Sequence, residues 1–194
     1  MSERDRLDIL LDEIRAEFPR LRIIPKPESR FQRAIARTLR VISFGQIKDY
    51  LDGYHTTVGQ RIYVTGDWEQ ISRNRRYLTL RHEMVHVRQF RRLSLPLMAI
   101  LYVLLPLPAG LAWFRAHFEK QAYAEEIRAT AELYGVDHVR AAEFRADIIE
   151  QFTGPAYGFM WPFRRAMERW YDRVLASCAP ASVEGGRSRP TPGL

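Results

Sequence analysis

The 194-residue chain is predicted to be mainly α-helical with a small β element, which makes it an α+β fold. Apolar residues recur at helical spacing in several long segments, and one of these, residues 72–92, contains neither Gly nor Pro. Residues 60–64 instead alternate and are rich in β-branched and aromatic side chains, which is typical of a strand. The composition, 46% hydrophobic, supports one core, so residues 1–178 are expected to form a single domain.

Proline, glycine and capping residues divide the helical part of the chain into segments. The helices are predicted at residues 2–18, 29–45, 72–92, 111–135, 137–152 and 162–177. Residues 179–194 are rich in Pro, Gly and Ser and lack apolar periodicity, so this tail is expected to be disordered.

Charge and cysteine content narrow the class of protein. The formal net charge is +7, and all but three of the 30 basic residues are arginines. Neither a Cys/His finger spacing nor an RNA-binding signature accompanies this charge, so nucleic acid is not an expected partner. Cys178 is the only cysteine, which fits a reducing compartment, and the charged N-terminal segment lacks the apolar stretch of a signal peptide. The protein is therefore expected in the cytoplasm.

Residues 93–114 contain no charged side chain and lie between Arg92 and Arg115. A segment of this length can span a bilayer. Pro96, Pro106 and other helix breakers interrupt it, and lipid would leave the interrupted backbone groups without hydrogen-bond partners. The favoured interpretation is an apolar hairpin that is buried or dips into a membrane, and a transmembrane span is the alternative.

The strongest chemical signal is the sequence HEMVH at residues 82–86. Histidines four apart on a helix differ by about 40° of rotation and roughly 6 Å of rise, so both rings can reach one ion. Zinc accepts imidazole nitrogen and keeps a position open for water when only three protein ligands bind. The motif therefore predicts a Zn²⁺ ion held by His82 and His86, with Glu83 as the general base that takes a proton from the activated water.

The third ligand is expected from the long helix that follows the apolar segment and carries several glutamates. HEMVH followed by EKQAY, which runs from Glu119 to Tyr123, resembles the gluzincin group of zinc metallopeptidases, the thermolysin-like enzymes and their membrane-associated relatives. Those proteins take their third ligand from a second helix, within an E-x-x-A-D pattern. The resemblance implies Glu119 as the ligand, with Ala122 allowing close approach of the helices. Glu126, in the sequence EIRAT, is the alternative.

The resemblance implies a minimal zincin-like core at about residues 56–135, with one departure at Tyr123. An aspartate usually stands there and steadies a histidine ligand, so another group must accept the second ring N–H of His82 or His86. Glu126 lies on the same helical face as Glu119 and is the candidate. Stabilisation of the transition state also needs a donor beside the metal. The candidates are Arg115, His117, Tyr123, His138 and Tyr157, and the role of His55 is left open.

The strand before the active-site helix has its own implied role. In enzymes of this group that strand is a sheet edge, to which an extended substrate peptide adds through main-chain hydrogen bonds. The resemblance implies that role for Gln60, Arg61, Ile62, Tyr63 and Val64. An ordinary core strand is compatible with the same residues.

Together these features predict a zinc-dependent peptidase, in the first instance an endopeptidase, that acts on a peptide or protein substrate. One alternative is a non-catalytic membrane-surface or assembly module that binds through residues 93–114 and its positive charge. Another is a relative that binds zinc without turnover. Glu83 argues against the first alternative, because a purely structural metal site has no use for that carboxylate.

Overall fold

The structure is a computed structural model and describes residues 5–42, 55–94, 97–98, 113–154 and 160–178. Within these ranges the chain is mainly helical with a small mixed sheet, which confirms the predicted fold class. The strands are β1 (Arg22–Pro25), β2 (Thr56–Val58) and β3 (Arg61–Val64). The helices are α1 (Arg6–Glu17), α2 (Arg30–Ile42), α3 (Arg73–Arg92), α4 (Trp113–Tyr134), α5 (Val136–Arg140), α6 (Ala142–Thr153) and α7 (Arg164–Cys178).

Capping residues set several helix boundaries. Ser72 begins α3 because its Oγ accepts a hydrogen bond from the Arg75 backbone N–H at 3.2 Å. Asp5 caps α1, because its Oδ1 accepts a hydrogen bond from the Leu7 backbone N–H at 3.2 Å. The single helix predicted at residues 137–152 is in fact two helices, because the backbone at Ala141 is extended (ψ 138°) and interrupts the hydrogen-bond ladder.

The sheet has the order β1-β3-β2, with β1 parallel and β2 antiparallel to β3. A two-residue turn joins β2 to β3, and Gly59 in that turn has a left-handed φ of 61°. The prediction that β3 is the sheet edge is wrong, because its main chain pairs with a strand on each side. Within the described ranges the edge beside α3 is β2. The residues assigned to the edge comprise one turn residue and the central strand: Gln60, Arg61, Ile62, Tyr63 and Val64.

Two apolar clusters lie on either side of the α3–α4 pair. The first joins α1 and β3 to α3, and Ile62, Leu80 and Met84 are at its centre. The second joins α4 to α5, α6 and α7 through side chains such as Ile127 and Phe152. Because each helix of the pair is anchored in a cluster, the surfaces that face each other are held in a fixed register.

Polar contacts show that α3 and α4 are antiparallel. Gln89 near the end of α3 donates to the Phe118 carbonyl oxygen near the start of α4, at 3.2 Å. Toward the other end, the Arg81 guanidinium donates to Glu125 at 2.7 Å and to Glu132 at 3.1 Å. The ladder of contacts therefore brings the middle of α3, where HEMVH lies, against the middle of α4.

No helix within the described ranges is both long enough and apolar enough to cross a membrane. Most of the apolar segment at residues 93–114, and the whole tail at 179–194, lie outside those ranges. The hairpin and the disordered tail therefore stay predictions.

Candidate metal centre

Three side chains from α3 and α4 converge on one point between the helices. Glu119 Oε2 lies 3.5 Å from His82 Nε2 and 3.6 Å from His86 Nε2. All three candidate ligand atoms lie within 4.8 Å of one another. Ligands bound at about 2.0–2.1 Å to one tetrahedral ion are roughly 3.4 Å apart, so only small shifts are needed to close the group around an ion. The described residues therefore contain a group that can hold a metal ion.

The sequence places these side chains by simple helical geometry. His82 and His86 are one turn apart and face α4, and Glu119 meets both from the antiparallel helix. Ala122, one turn after Glu119, is fully buried, and its small side chain permits the close helix contact. The structure thus brings Glu119, and not Glu126, to the histidine Nε2 atoms, as the sequence predicted.

The second nitrogen of each imidazole has its own partner. His82 Nδ1 lies 3.0 Å from Glu126 Oε2, and His86 Nδ1 lies 2.9 Å from Gln89 Oε1. Since both oxygens are acceptors, each Nδ1 donates a proton to its partner, so the Nε2 atoms are the ones that can bind an ion once it replaces the protons they carry. Glu126 therefore has the orienting role that the sequence proposed as one of its two options.

Gln89 contacts the candidate metal-binding group and was not identified from the sequence. Its Oε1 receives the His86 proton, while its Nε2 donates to the Phe118 carbonyl and, at 3.3 Å, to Gln121 Oε1. The amide is buried, so these contacts are shielded from water. Its position three residues after the second histidine, on the same helical face, was the available signal.

Tyr123 acts on His82 by packing. The two rings meet edge-on, with centroids 4.7 Å apart and an interplanar angle of 86°. The aromatic ring therefore limits the rotation of the imidazole, and Glu126, three residues later on α4, supplies the hydrogen bond that an aspartate would provide at this position.

The other side chains proposed as donors to the transition state are not part of the group formed by His82, His86 and Glu119. Arg115 is half-buried in the first turn of α4. His117 is exposed and stacks on Trp113, with ring centroids 5.4 Å apart. His138 packs against aromatic side chains of α4 and α6, and Tyr157 lies outside the described residues. Transition-state donation by Arg115 or Tyr123 stays a prediction.

The electrostatics of the group favour a bound cation. Burial disfavours the charged imidazole, but the carboxylates of Glu119 and Glu126 outweigh this effect and raise the pKa of His82 to about 10. Burial likewise opposes ionisation of Glu119, yet the two histidines hold its pKa well below the usual range. Without a metal ion, protons must therefore balance the buried negative charge, and a divalent cation can replace them.

Glu83 lies on a neighbouring face of α3, directed toward β2. Its side chain is buried, and Thr57 Oγ1 donates a hydrogen bond to Glu83 Oε2 at 2.6 Å. Thr57 was not identified from the sequence, because the contact depends on how β2 packs on α3. One carboxylate oxygen is thereby fixed in direction beside the metal-binding group.

Comparison of the chain with protein-family models, curated proteins and solved structures finds no match.

Proposed function

We propose that the protein is a zinc-dependent peptidase, with His82, His86 and Glu119 as metal ligands and Glu83 as the general base. The observation that carries the proposal is the convergence of two imidazole nitrogens and one carboxylate oxygen beside a separately held glutamate. A structural metal site needs no such fourth group, whereas hydrolysis needs a base beside the metal.

The donor set by itself fits zinc or ferrous iron, and the neighbouring Glu83, placed as a general base, favours zinc. Two imidazoles and one carboxylate, with one position left for water, match the ligand pattern of catalytic zinc sites. Calcium and magnesium prefer all-oxygen sites, and a soft-metal site would use sulfur. When bound, zinc would lower the pKa of a water molecule and polarise the substrate carbonyl.

The protein's own residues have distinct parts in this reaction. Glu83 accepts a proton from the attacking water and later gives it to the nitrogen of the leaving amine, so it ends each cycle ionised. Thr57 holds Oε2 of Glu83, which leaves Oε1 for the proton. Glu126 and Gln89 keep the histidine rings in the tautomer that binds metal.

The main chain of a substrate would bind to β2. Within the described ranges this strand pairs only with β3, so its second edge can receive an extended peptide. Because Thr57 on β2 contacts Glu83, a peptide added at that edge would pass beside the general base. Recognition of main-chain groups suits an endopeptidase that acts on unfolded or extended segments.

The direct test is hydrolysis of fluorescein-labelled casein by the full chain, with zinc measured by elemental analysis. We expect about one zinc per chain and hydrolysis that a chelator removes and zinc restores. Glu83→Gln should keep the zinc and lose about 10²–10⁴ of the rate, because the amide cannot accept the proton. Glu69→Gln, on the exposed surface, is the matched control. Wild-type turnover in Glu83→Gln, or a wild-type chain that binds no zinc, would contradict the proposal.

A further inference from the structure

Two exposed arginines lie side by side on the sheet. Arg22 of β1 and Arg61 of β3 are directly paired in the parallel register, so their side chains project from the same face. Neither guanidinium has an ion-pair or hydrogen-bond partner within the described ranges. Like charges at directly opposite positions of neighbouring strands are destabilising. An anion from outside the described residues would relieve this repulsion.

The face that carries this pair is turned away from α3. Ile62 is fully buried in the cluster that joins β3 to α1 and α3, and side chains alternate along a strand, so Arg61 projects to the opposite side. Tyr63 lies on the same face as Arg61 and contacts Phe31 of α2, with ring centroids 6.4 Å apart. Helix α2 therefore covers one end of this face, and the end with the two arginines is exposed to solvent.

Val58 connects the arginine pair to the outer edge of β2. It pairs with Arg61 across the antiparallel ladder, so its half-buried side chain lies on the same face. A peptide added at the outer edge of β2 would lie two strands from β3, about 10 Å away. Arginine can lay its methylene stem along apolar surface while its charged head stays in water. Arg61 can therefore cross Val58 and meet a carboxylate of the peptide, with Arg22 one strand farther away.

The surrounding charge on this side of the sheet has the same sign. Helix α2 contains no acidic residue, and its arginines Arg30, Arg33 and Arg37 are exposed. Since Phe31 of the same helix contacts Tyr63, these arginines add to the positive potential near the pair. Acidic segments of a substrate would be attracted to this side of the sheet, and basic segments would be repelled.

We propose that Arg61 and Arg22 form a specificity subsite that accepts an acidic side chain of the substrate. This inference rests on the proposed peptidase function. Thr57 contacts Glu83, and Val58 is the next residue of β2, so the acidic residue would lie within two residues of the cleaved bond. The main chain of β3 is already paired on both sides, so Arg61 acts through its side chain alone. The substrate class is an extended peptide with Asp or Glu beside the cleavage site.

Matched peptides test this subsite in the zinc-loaded full chain. One series of internally quenched peptides would carry a single glutamate, moved in turn through the positions around a central Leu–Leu pair, and a second series would carry glutamine instead. Mass spectrometry locates the cleaved bond. In wild type, glutamate at one position within two residues of that bond should raise kcat/KM about three- to tenfold over glutamine. The preference should shrink between about 0.01 M and 1 M salt, because exposed charges are screened.

Substitutions of the arginines should change this preference in the order of their distance from β2. Arg61→Gln should remove most of the preference, and Arg22→Gln should remove a smaller part. Arg61→Glu should reverse it, so that a peptide with lysine at that position is cleaved faster than one with glutamate. Arg61→Lys keeps the charge without the planar fork and should keep part of the preference. Arg165→Gln, on the exposed surface of α7, makes the same change in net charge and should leave the preference intact.

The outcomes separate this subsite from the peptidase function. Zinc content and Tm at least equal to those of wild type show that each variant keeps its fold and metal site. Equal cleavage of the glutamate and glutamine peptides by wild type overturns the subsite alone, as does a preference that survives in Arg61→Gln and Arg61→Glu. Variants that keep the preference but lose binding to RNA or to phosphatidylserine vesicles would assign the arginines to another anion. Wild type that cleaves neither these peptides nor casein overturns the peptidase function itself.

Discussion

The two faces of α3 that carry the proposed metal ligands and the proposed general base are built differently. On the face toward α4, His82 and His86 are each held at Nδ1 by a side chain, and both Nε2 atoms point at Glu119. On the face toward β2, Glu83 has Thr57 as its hydrogen-bond partner, and the neighbouring His55 has a buried nitrogen without one among the described residues. Both imidazoles on the α4 face thus have a partner at Nδ1, whereas one buried imidazole nitrogen beside β2 has none among the described residues.

This difference predicts which substitutions affect metal binding and which affect turnover. Loss of groups on the α4 face should weaken metal binding, and turnover would fall as a consequence. Loss of groups on the β2 face should leave the metal in place and change turnover alone.

Glu119→Gln should have the largest effect on the metal. The amide is a poor zinc ligand and cannot balance the ion's charge, so zinc affinity should fall by more than the roughly 10–100-fold that loss of a supporting group costs. Titration against a competing chelator measures this. Glu125→Gln, on the same helix but paired with Arg81, is the control and should bind as wild type does. Full zinc affinity in Glu119→Gln would rule out Glu119 as the third ligand.

Substitution of Glu126 or Gln89, the hydrogen-bond partners of the two histidines, should lower zinc affinity less than substitution of Glu119. Glu126→Gln removes the charge that acts on His82, and Gln89→Met removes the neutral acceptor of His86. We expect zinc affinity to fall about 10–100-fold in the first and less in the second, because a carboxylate raises imidazole basicity more than an amide does. The same chelator titration ranks them, and an unchanged affinity in Glu126→Gln would show that this carboxylate does not support the site.

Thr57→Val probes the β2 face. It keeps the shape of the side chain but leaves Glu83 Oε2 buried without its donor, so the free energy of unfolding should fall by about 1–3 kcal/mol. Hydrolysis should slow while zinc affinity stays constant. Urea denaturation and chelator titration provide the two readouts, with Thr56→Val as the matched control on the same strand. A loss of zinc affinity in Thr57→Val alone would contradict the separation of the two faces.

Glu17, the last residue of α1, forms ion pairs with Arg88 and Arg91 of α3. These pairs lie outside both faces described above. The hydrogen bond from Arg88, together with the charges of Arg88 and Arg91, lowers the pKa of Glu17 below its ordinary 4.5. Its contribution to stability is therefore present above pH 4.5 and is lost as the pH falls through the lower folded pKa. Glu17→Gln should cost about 0–1 kcal/mol at pH 7 and progressively less below pH 4.5.

Urea denaturation of wild type and Glu17→Gln across this pH range measures the effect. Zinc affinity should be equal in the two proteins at pH 7. A stability difference that grows as the pH falls would have the wrong sign for a carboxylate stabilised by arginines.

The α4 face was largely predictable from the sequence, since it depends on regular helices. The four-residue spacing of His82 and His86 fixes their common face without knowledge of the rest of the fold. Glu119 was identified through the E-x-x-A resemblance, and Glu126 through its position on the same helical face. Even the missed Gln89 obeys helical periodicity.

The β2 face was poorly predicted because it depends on contacts between distant segments. Nothing local in the sequence indicates that β1 pairs with β3 and makes it the central strand, and Pro25 within β1 obscured that strand. Thr57 contacts Glu83 across 26 residues of sequence, and no periodicity within either segment reveals such a contact. Residues 93–114 lie mostly outside the described ranges, so the predicted apolar hairpin is not tested by the structure.

X-ray absorption spectroscopy of the zinc-loaded protein reports which atoms bind the ion and at what distance. We expect two imidazole nitrogens and two oxygens around the zinc, one oxygen from Glu119 and one from water, at about 2.0–2.2 Å. In Glu119→Gln the zinc signal or its oxygen coordination should be lost, and in Glu83→Gln the shell should be unchanged. A shell with a third imidazole, with sulfur, or with four protein ligands and no water would contradict an open metal centre formed by these three side chains.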